Sequence, residues 1–155
     1  MKRETAIEII TGLLRSGNSA ELTATGWSMF PTLRHGDKVL VKPLVNNSLP
    51  LAGSIIVVNL DNNLILHRLT EIRKGFSGTT QVITRGDCMA DDDDPCQSGQ
   101  ILGVAYSFVR NGRVRIIKCR IPGGYEYSIN RMLLWAWVKI KKFGRWRLKS
   151  GERRA

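Results

Sequence analysis

Ser54-Ile55-Ile56-Val57-Val58-Asn59-Leu60-Asp61-Asn62-Asn63-Leu64-Ile65-Leu66-His67-Arg68-Leu69-Thr70-Glu71-Ile72 sets the class of this chain. Its first half is a near-continuous β-branched run, as in a strand covered on both faces. Asp61-Asn62-Asn63 supplies a tight turn, and a second apolar run returns, so the segment reads as a β-hairpin. His67 stands out within the second run. A charged imidazolium is costly among Leu64 to Leu69, whereas a neutral ring can accept a proton near pH 7. A single histidine on an apolar strand is most often a core residue satisfied by a partner, so its meaning depends on what the rest of the chain brings to it.

Toward the N-terminus, Gly26-Trp27-Ser28-Met29-Phe30-Pro31-Thr32-Leu33 places one hydroxyl between large apolar residues on a turn stiffened by proline. Arg34-His35-Gly36-Asp37 then turns the chain into an alternating strand, Lys38 to Lys42, with His35 as a solvated turn residue. Glu21 to Thr25 alternates and delivers the chain to Ser28. Before it, Ile7, Ile10, Leu13 and Leu14 recur at helical spacing over residues 4–15, and Gly17-Asn18 stops the pattern.

Toward the C-terminus, Gln81 to Thr84 reads as a strand ending at Arg85-Gly86-Asp87. The acidic loop Asp91-Asp92-Asp93-Asp94-Pro95 follows. Ile101 to Val109 and Arg113 to Cys119 pair about Asn111-Gly112, the strongest short hairpin signal in the chain. About seven short strands against one small helix predict a mainly β fold, an antiparallel barrel or sandwich. Residues 1–120 form the body, with a helix over 1–17 and β structure over 20–120. Beyond Ile121-Pro122-Gly123-Gly124, residues 125–155 form a basic amphipathic helix, with Ile129, Met132, Leu133, Ala136, Trp137, Ile140 and Phe143 at helical spacing.

Composition fits a globular protein: 155 residues, 43% hydrophobic and 24% charged, with net charge +11. From Arg131 onward nine basic residues face Glu152 alone, so +8 of the +11 belongs to the tail. The longest apolar run, Met132 to Val138, is too short to span a bilayer, which needs roughly 20 residues. Cys88, Cys96 and Cys119 are an odd count without metal-ligand spacing and read as reduced thiols, with a Cys88–Cys96 bridge across the acidic loop as the alternative. The four aspartates lack the alternate spacing of a calcium loop, so no metal or cofactor is expected.

A serine nucleophile needs a base, and the base needs an orienting group. Ser28-Met29-x-Pro31-Thr32-Leu33-x-x-Gly36-Asp37-x-Val39-Leu40-Val41 resembles the serine box of type I signal peptidases. Gly53 to Val58, His67-Arg68 and Thr84-Arg85-Gly86-Asp87 resemble their later boxes in order, over about residues 22–110. Bacterial members and the SOS-type repressors that share the fold use lysine as base, whereas His67-Arg68 resembles the endoplasmic-reticulum subclass, which uses histidine. That resemblance implies a serine endopeptidase processing a peptide or protein precursor. Ser28 is its nucleophile, His67 its base and Asp93, six residues past Asp87, the orienting carboxylate.

Asp87 and Asp92 are supporting residues in this reading. The Ser28 backbone N–H is the oxyanion donor, Gly26 offers no hydroxyl as a second one, and Trp27, Met29 and Phe30 form the substrate lip. No anchor segment precedes the serine box, and Cys88 stands where the family has asparagine. The expected setting is cytoplasmic, with nucleic acid not a partner and the tail either in peripheral contact with the inner membrane surface or docked on the barrel with its basic end in solvent. Two other readings are a self-cleaving repressor-like regulator and a non-catalytic module that binds nucleic acid or membrane.

Overall fold

The computed structural model describes the backbone of residues 3–45, 48–75 and 78–151, and the side chains of 5–45, 48–75 and 78–141. Helix α1 (Arg3–Arg15) is followed by β1 (Ala20–Thr23), β2 (Lys38–Pro43), β3 (Ile55–Leu60), β4 (Asn63–Lys74) and β5 (Thr80–Arg85). Then come β6 (Cys96–Gln97), a 3-10 turn (Ser98–Gln100), β7 (Ile101–Arg110), β8 (Arg113–Ile116) and α2 (Gly124–Gly151). The eight strands form one sheet in the order β1-β2-β7-β3-β4-β5-β6, with β8 branching from β7. Every pairing is antiparallel. The fold is therefore the expected mainly β antiparallel sheet, with a helix at each end.

β3 explains its own sequence. Ile55 and Val57 enter one apolar cluster with Val39, Val41, Leu102 and Phe108, while Ile56 and Val58 enter a second with Leu69, Val82, Cys96 and Ile101. A strand that divides two cores has no solvent face, so its residues cannot alternate with polar ones. The β3–β4 turn has Asp61 and Asn62 at φ +48° and +59°, and the β7–β8 turn has Asn111 and Gly112 at +52° and +72°. These are two-residue turns of the kind whose twist matches paired strands. Asn63 belongs to β4, opposite Leu60.

α1 buries Ile7 and Leu14. It closes with Asn18 N–H donating to Leu13 O and Gly17 N–H to Leu14 O, Gly17 being left-handed at φ +83°. That paired closure is the usual helix stop at glycine.

Three boundaries differ from the sequence expectation. β6, in a segment given no element from the sequence, has two residues and so carries no periodic signal. β8 stops at Ile116 rather than Cys119. α2 starts at Gly124, ahead of the periodic run, because Glu126 carboxylate accepts from Gly123 N–H at 2.7 Å and caps the first turn. The tail's basic and apolar side chains from Lys142 onward, Phe143 among them, lie outside the described residues.

Candidate active site

The turn that carries Ser28 is held from below. Met29 and Leu33 are buried in the β2–β3–β7 cluster, and Leu33 N–H donates to Met29 O while Phe30 N–H donates to Trp27 O. From the side, Cys88 N–H donates to Ser28 O at 2.9 Å and Cys88 Sγ donates to Trp27 O at 3.0 Å. Gly86 is required by this approach, since a Cβ there would lie 2.7 Å from Ser28 O. The Phe30–Pro31 bond is cis.

β4 brings His67 to the turn. Its Nε2 lies 2.9 Å from Ser28 Oγ and its Nδ1 lies 2.5 Å from Asp93 Oδ2. Asp93 sits just beyond β5, where its N–H donates to Thr84 O at 2.8 Å and its Oδ2 accepts from Thr84 Oγ1 at 2.6 Å. Burial pushes the Asp93 carboxyl up, but the hydrogen bonds from His67 and Thr84 and the charge of His67 outweigh it, so the net position is below the usual carboxylate range.

Successive residues on a strand face opposite ways, so His67-Arg68 serves two carboxylates of one loop. Arg68 Nε and an Nη each stand 2.7 Å from the Asp87 carboxylate, and both side chains are almost fully buried. Asp87 also accepts from Thr32 Oγ1 at 2.5 Å, and its carbonyl accepts from Asn130 of α2 at 2.8 Å. Asp87 is thus the tie between the nucleophile turn, β4 and α2, and does not touch His67. Asp92 is half exposed, 3.9 Å from Arg85, and also stands apart from His67. Arg85 orders the acidic loop by donating to Met89 O and Ala90 O, while its guanidinium stacks 3.8 Å over the Tyr127 ring. Among the described residues no group of three His, Cys, Asp or Glu could hold a metal ion, and all three cysteines are free.

Ser28 and His67 open into a cleft of about 580 Å³, walled by Ile7 and Ile10 of α1, Leu22 of β1 and Leu66 of β4, with Met29 at its floor. Trp27 and Phe30, expected at the substrate lip, do not line it. Their rings pack on Trp137 of α2 at centroid distances of 4.6 and 6.3 Å, and Trp27 stacks on His35. Of the three lip residues only Met29 faces the cleft, because α2 folds back and covers the other two. The α1 wall was missed in the sequence: Ile7 and Ile10 read simply as the packed face of a helix. Thr84 was also missed as a partner of Asp93; its signal is a hydroxyl at a buried position of an apolar strand.

Residues 2–77 match a family model described as Peptidase S24-like. No curated protein matches the chain. The match corrects the resemblance drawn from the boxes: the S24-like family works with a Ser-Lys dyad, not with the Ser-His-Asp arrangement of the endoplasmic-reticulum signal peptidases. The histidine-subclass assignment rested on one dipeptide, His67-Arg68, and a two-residue signal cannot outweigh a match over 2–77. In this chain the residue bonded to Ser28 Oγ is His67, and among the described residues no lysine bonds it. Residues 2–77 are thus similar to the peptidase S24-like family, and the match supports serine-type endopeptidase activity.

Proposed function

We propose that this endopeptidase cleaves a peptide or protein precursor laid in the cleft beside Ser28, with Ser28, His67 and Asp93 as its site residues. Position 67 is the seat of the second member of the family's dyad. The observation that carries the reading is the 2.9 Å contact between His67 Nε2 and Ser28 Oγ at the mouth of that cleft. Ser28 Oγ attacks the scissile carbonyl, and its proton leaves to the group at position 67. Among the described residues no hydrogen bond uses the Ser28 N–H, which supports its role as donor to the developing oxyanion. Asp93 fixes the side chain at position 67, and Asp87 supports the turn through Thr32 and Arg68. Asp92 has no part beyond its contact with Arg85.

The test is cleavage of a peptide library by wild-type protein and three variants. Ser28→Ala is expected to abolish turnover and His67→Ala to lower it by at least about a hundredfold, in the range of a lost acid–base group. His67→Lys installs the family's own base, and activity above that of His67→Ala identifies position 67 as the dyad seat. Full activity in His67→Ala overturns the assignment.

The S24-like match favours a second reading, self-cleavage of the chain. Its test is intact mass after prolonged incubation, where an unchanged mass eliminates it.

In this proposal residues 1–120 are the peptidase body and the tail is a surface contact. Tail contact with a membrane face is supported by apolar residues that α2 exposes beside Lys139 and Lys141, Met132, Trp135 and Ile140 among them. Among the described residues no helix is long and apolar enough to cross a membrane. Three free thiols support a reducing, cytoplasmic setting, and nucleic acid has no part in the proposal.

A further inference from the structure

A second cavity, of about 600 Å³, lies between the first two turns of α2 and the β7–β8 hairpin and shares no lining residue with the cleft. Five cations line it, and three are already paired. Arg68 is held by Asp87, Arg110 by Asp37 at 2.6 and 2.9 Å, and Arg120 by Glu126 at 2.8 and 2.9 Å. Arg115 and Lys118 have no side-chain hydrogen bond or ion pair among the described residues. The cavity therefore carries two uncompensated positive charges beside an apolar wall of Phe108, Tyr125 and Ile129.

Tyr125 and Ile129 belong to a second feature as well. With Met132, Leu133, Ala136 and Ile140 they fall within an arc of about 100° on the α2 wheel. That arc points away from Tyr127, which is buried, and from Asn130 and Trp137, which meet the body. Tyr125, Met132 and Ile140 are 73%, 62% and 70% exposed. An apolar stripe thus borders a cavity whose free charges are positive, and the chain as a whole carries +11. A second copy would set like charges against each other. An interface with an apolar interior and an anionic surface complements both parts.

We propose that this cavity binds the anionic headgroup of a phospholipid through Arg115 and Lys118 while the α2 stripe enters the bilayer interface. The proposal rests on the membrane contact given above for the tail and adds the headgroup site to it. The test is flotation of the full chain with neutral phosphatidylcholine vesicles and with vesicles containing phosphatidylglycerol.

Wild-type protein is expected to float with the anionic vesicles only. Arg115→Glu with Lys118→Glu is expected to weaken that binding by at least about tenfold, in line with the contribution of basic residues near an anionic surface. The same double variant keeps its far-UV spectrum and its turnover of a soluble peptide, which separates lost binding from misfolding. Met132→Ser with Ile140→Ser is expected to weaken vesicle binding as well.

Wild-type affinity in the charge-reversal variant overturns the headgroup site and leaves the tail contact standing. Equal binding to neutral vesicles also overturns it. Absence of wild-type binding to either vesicle overturns both the site and the contact. Saturable calorimetric binding of soluble glycerol phosphate, with no flotation of wild-type protein on the anionic vesicles, overturns the lipid assignment in favour of a free phosphate.

Discussion

Asp87 and Asp93 lie six residues apart on one loop and face opposite demands. Asp87 is sealed against Arg68, so its loss leaves a guanidinium buried without its counter-charge. Asp87→Ala is expected to destabilise the fold by about 3–5 kcal/mol, read from chemical denaturation. Asp93 is partly exposed, and its pKa is lowered in the folded state. A lowered carboxylate stabilises the fold above its unfolded pKa, near 3.9, and that contribution is lost as the pH falls through the folded value. Thr84→Val removes one of the hydrogen bonds that lower it. The acid-unfolding midpoint of this variant is expected to shift to higher pH, and an unchanged midpoint would count against the role of Thr84. Sequence singled out His67 because the chain has only two histidines and the other lies in a turn, and Ser28 through the apolar, proline-stiffened turn that carries it. The run of four aspartates does not by itself separate Asp93 from Asp92; only the resemblance pointed to Asp93, and the backbone bond from Asp93 N–H to Thr84 O is what turns that residue inward. The kind of peptidase was misread from one dipeptide, His67-Arg68.

Among the elements, β3 and β4 were the most legible, because burial on both faces and a two-residue turn leave direct marks in residue type. α2 was legible as a helix and illegible in its placement. Its wheel has an apolar stripe, and an apolar stripe ordinarily marks the packed face. The body instead takes Tyr127, Asn130 and Trp137 and leaves the stripe outside. Nothing on the wheel distinguishes the two faces, since the docking partners, Trp27, Arg85 and the Asp87 carbonyl, come from distant parts of the chain. Trp137→Ala is expected to cost about 1–2 kcal/mol through loss of its packing on Trp27 and Phe30. The measurement is the shift in denaturation midpoint, with a change in the emission of Trp27 reporting that the loss is local.

For the molecule as a whole, the division into a body of residues 1–120 and an appended tail has a direct test. A chain cut after Pro122 loses the Asn130 bond to Asp87, the Tyr127 ring over Arg85 and the Trp137 cover on the nucleophile turn. It is expected to melt at lower temperature than the full chain and to turn over peptide more slowly, because each lost contact bears on the loop or turn that frames the cleft. Equal melting and equal turnover would make α2 a true appendage.

The contacts gathered at Asp87 also bear on the order in which the protein is made. Thr32, Arg68 and Asn130 leave the ribosome early, midway and late, and all three converge on this one residue. α2 contributes the last of these contacts, and its Trp137 packs on the turn that carries Ser28. A nascent chain that has released the serine turn and the hairpin still lacks the helix that covers Trp27. The cover on the nucleophile turn is therefore added after the serine turn, the hairpin and the acidic loop have all been made.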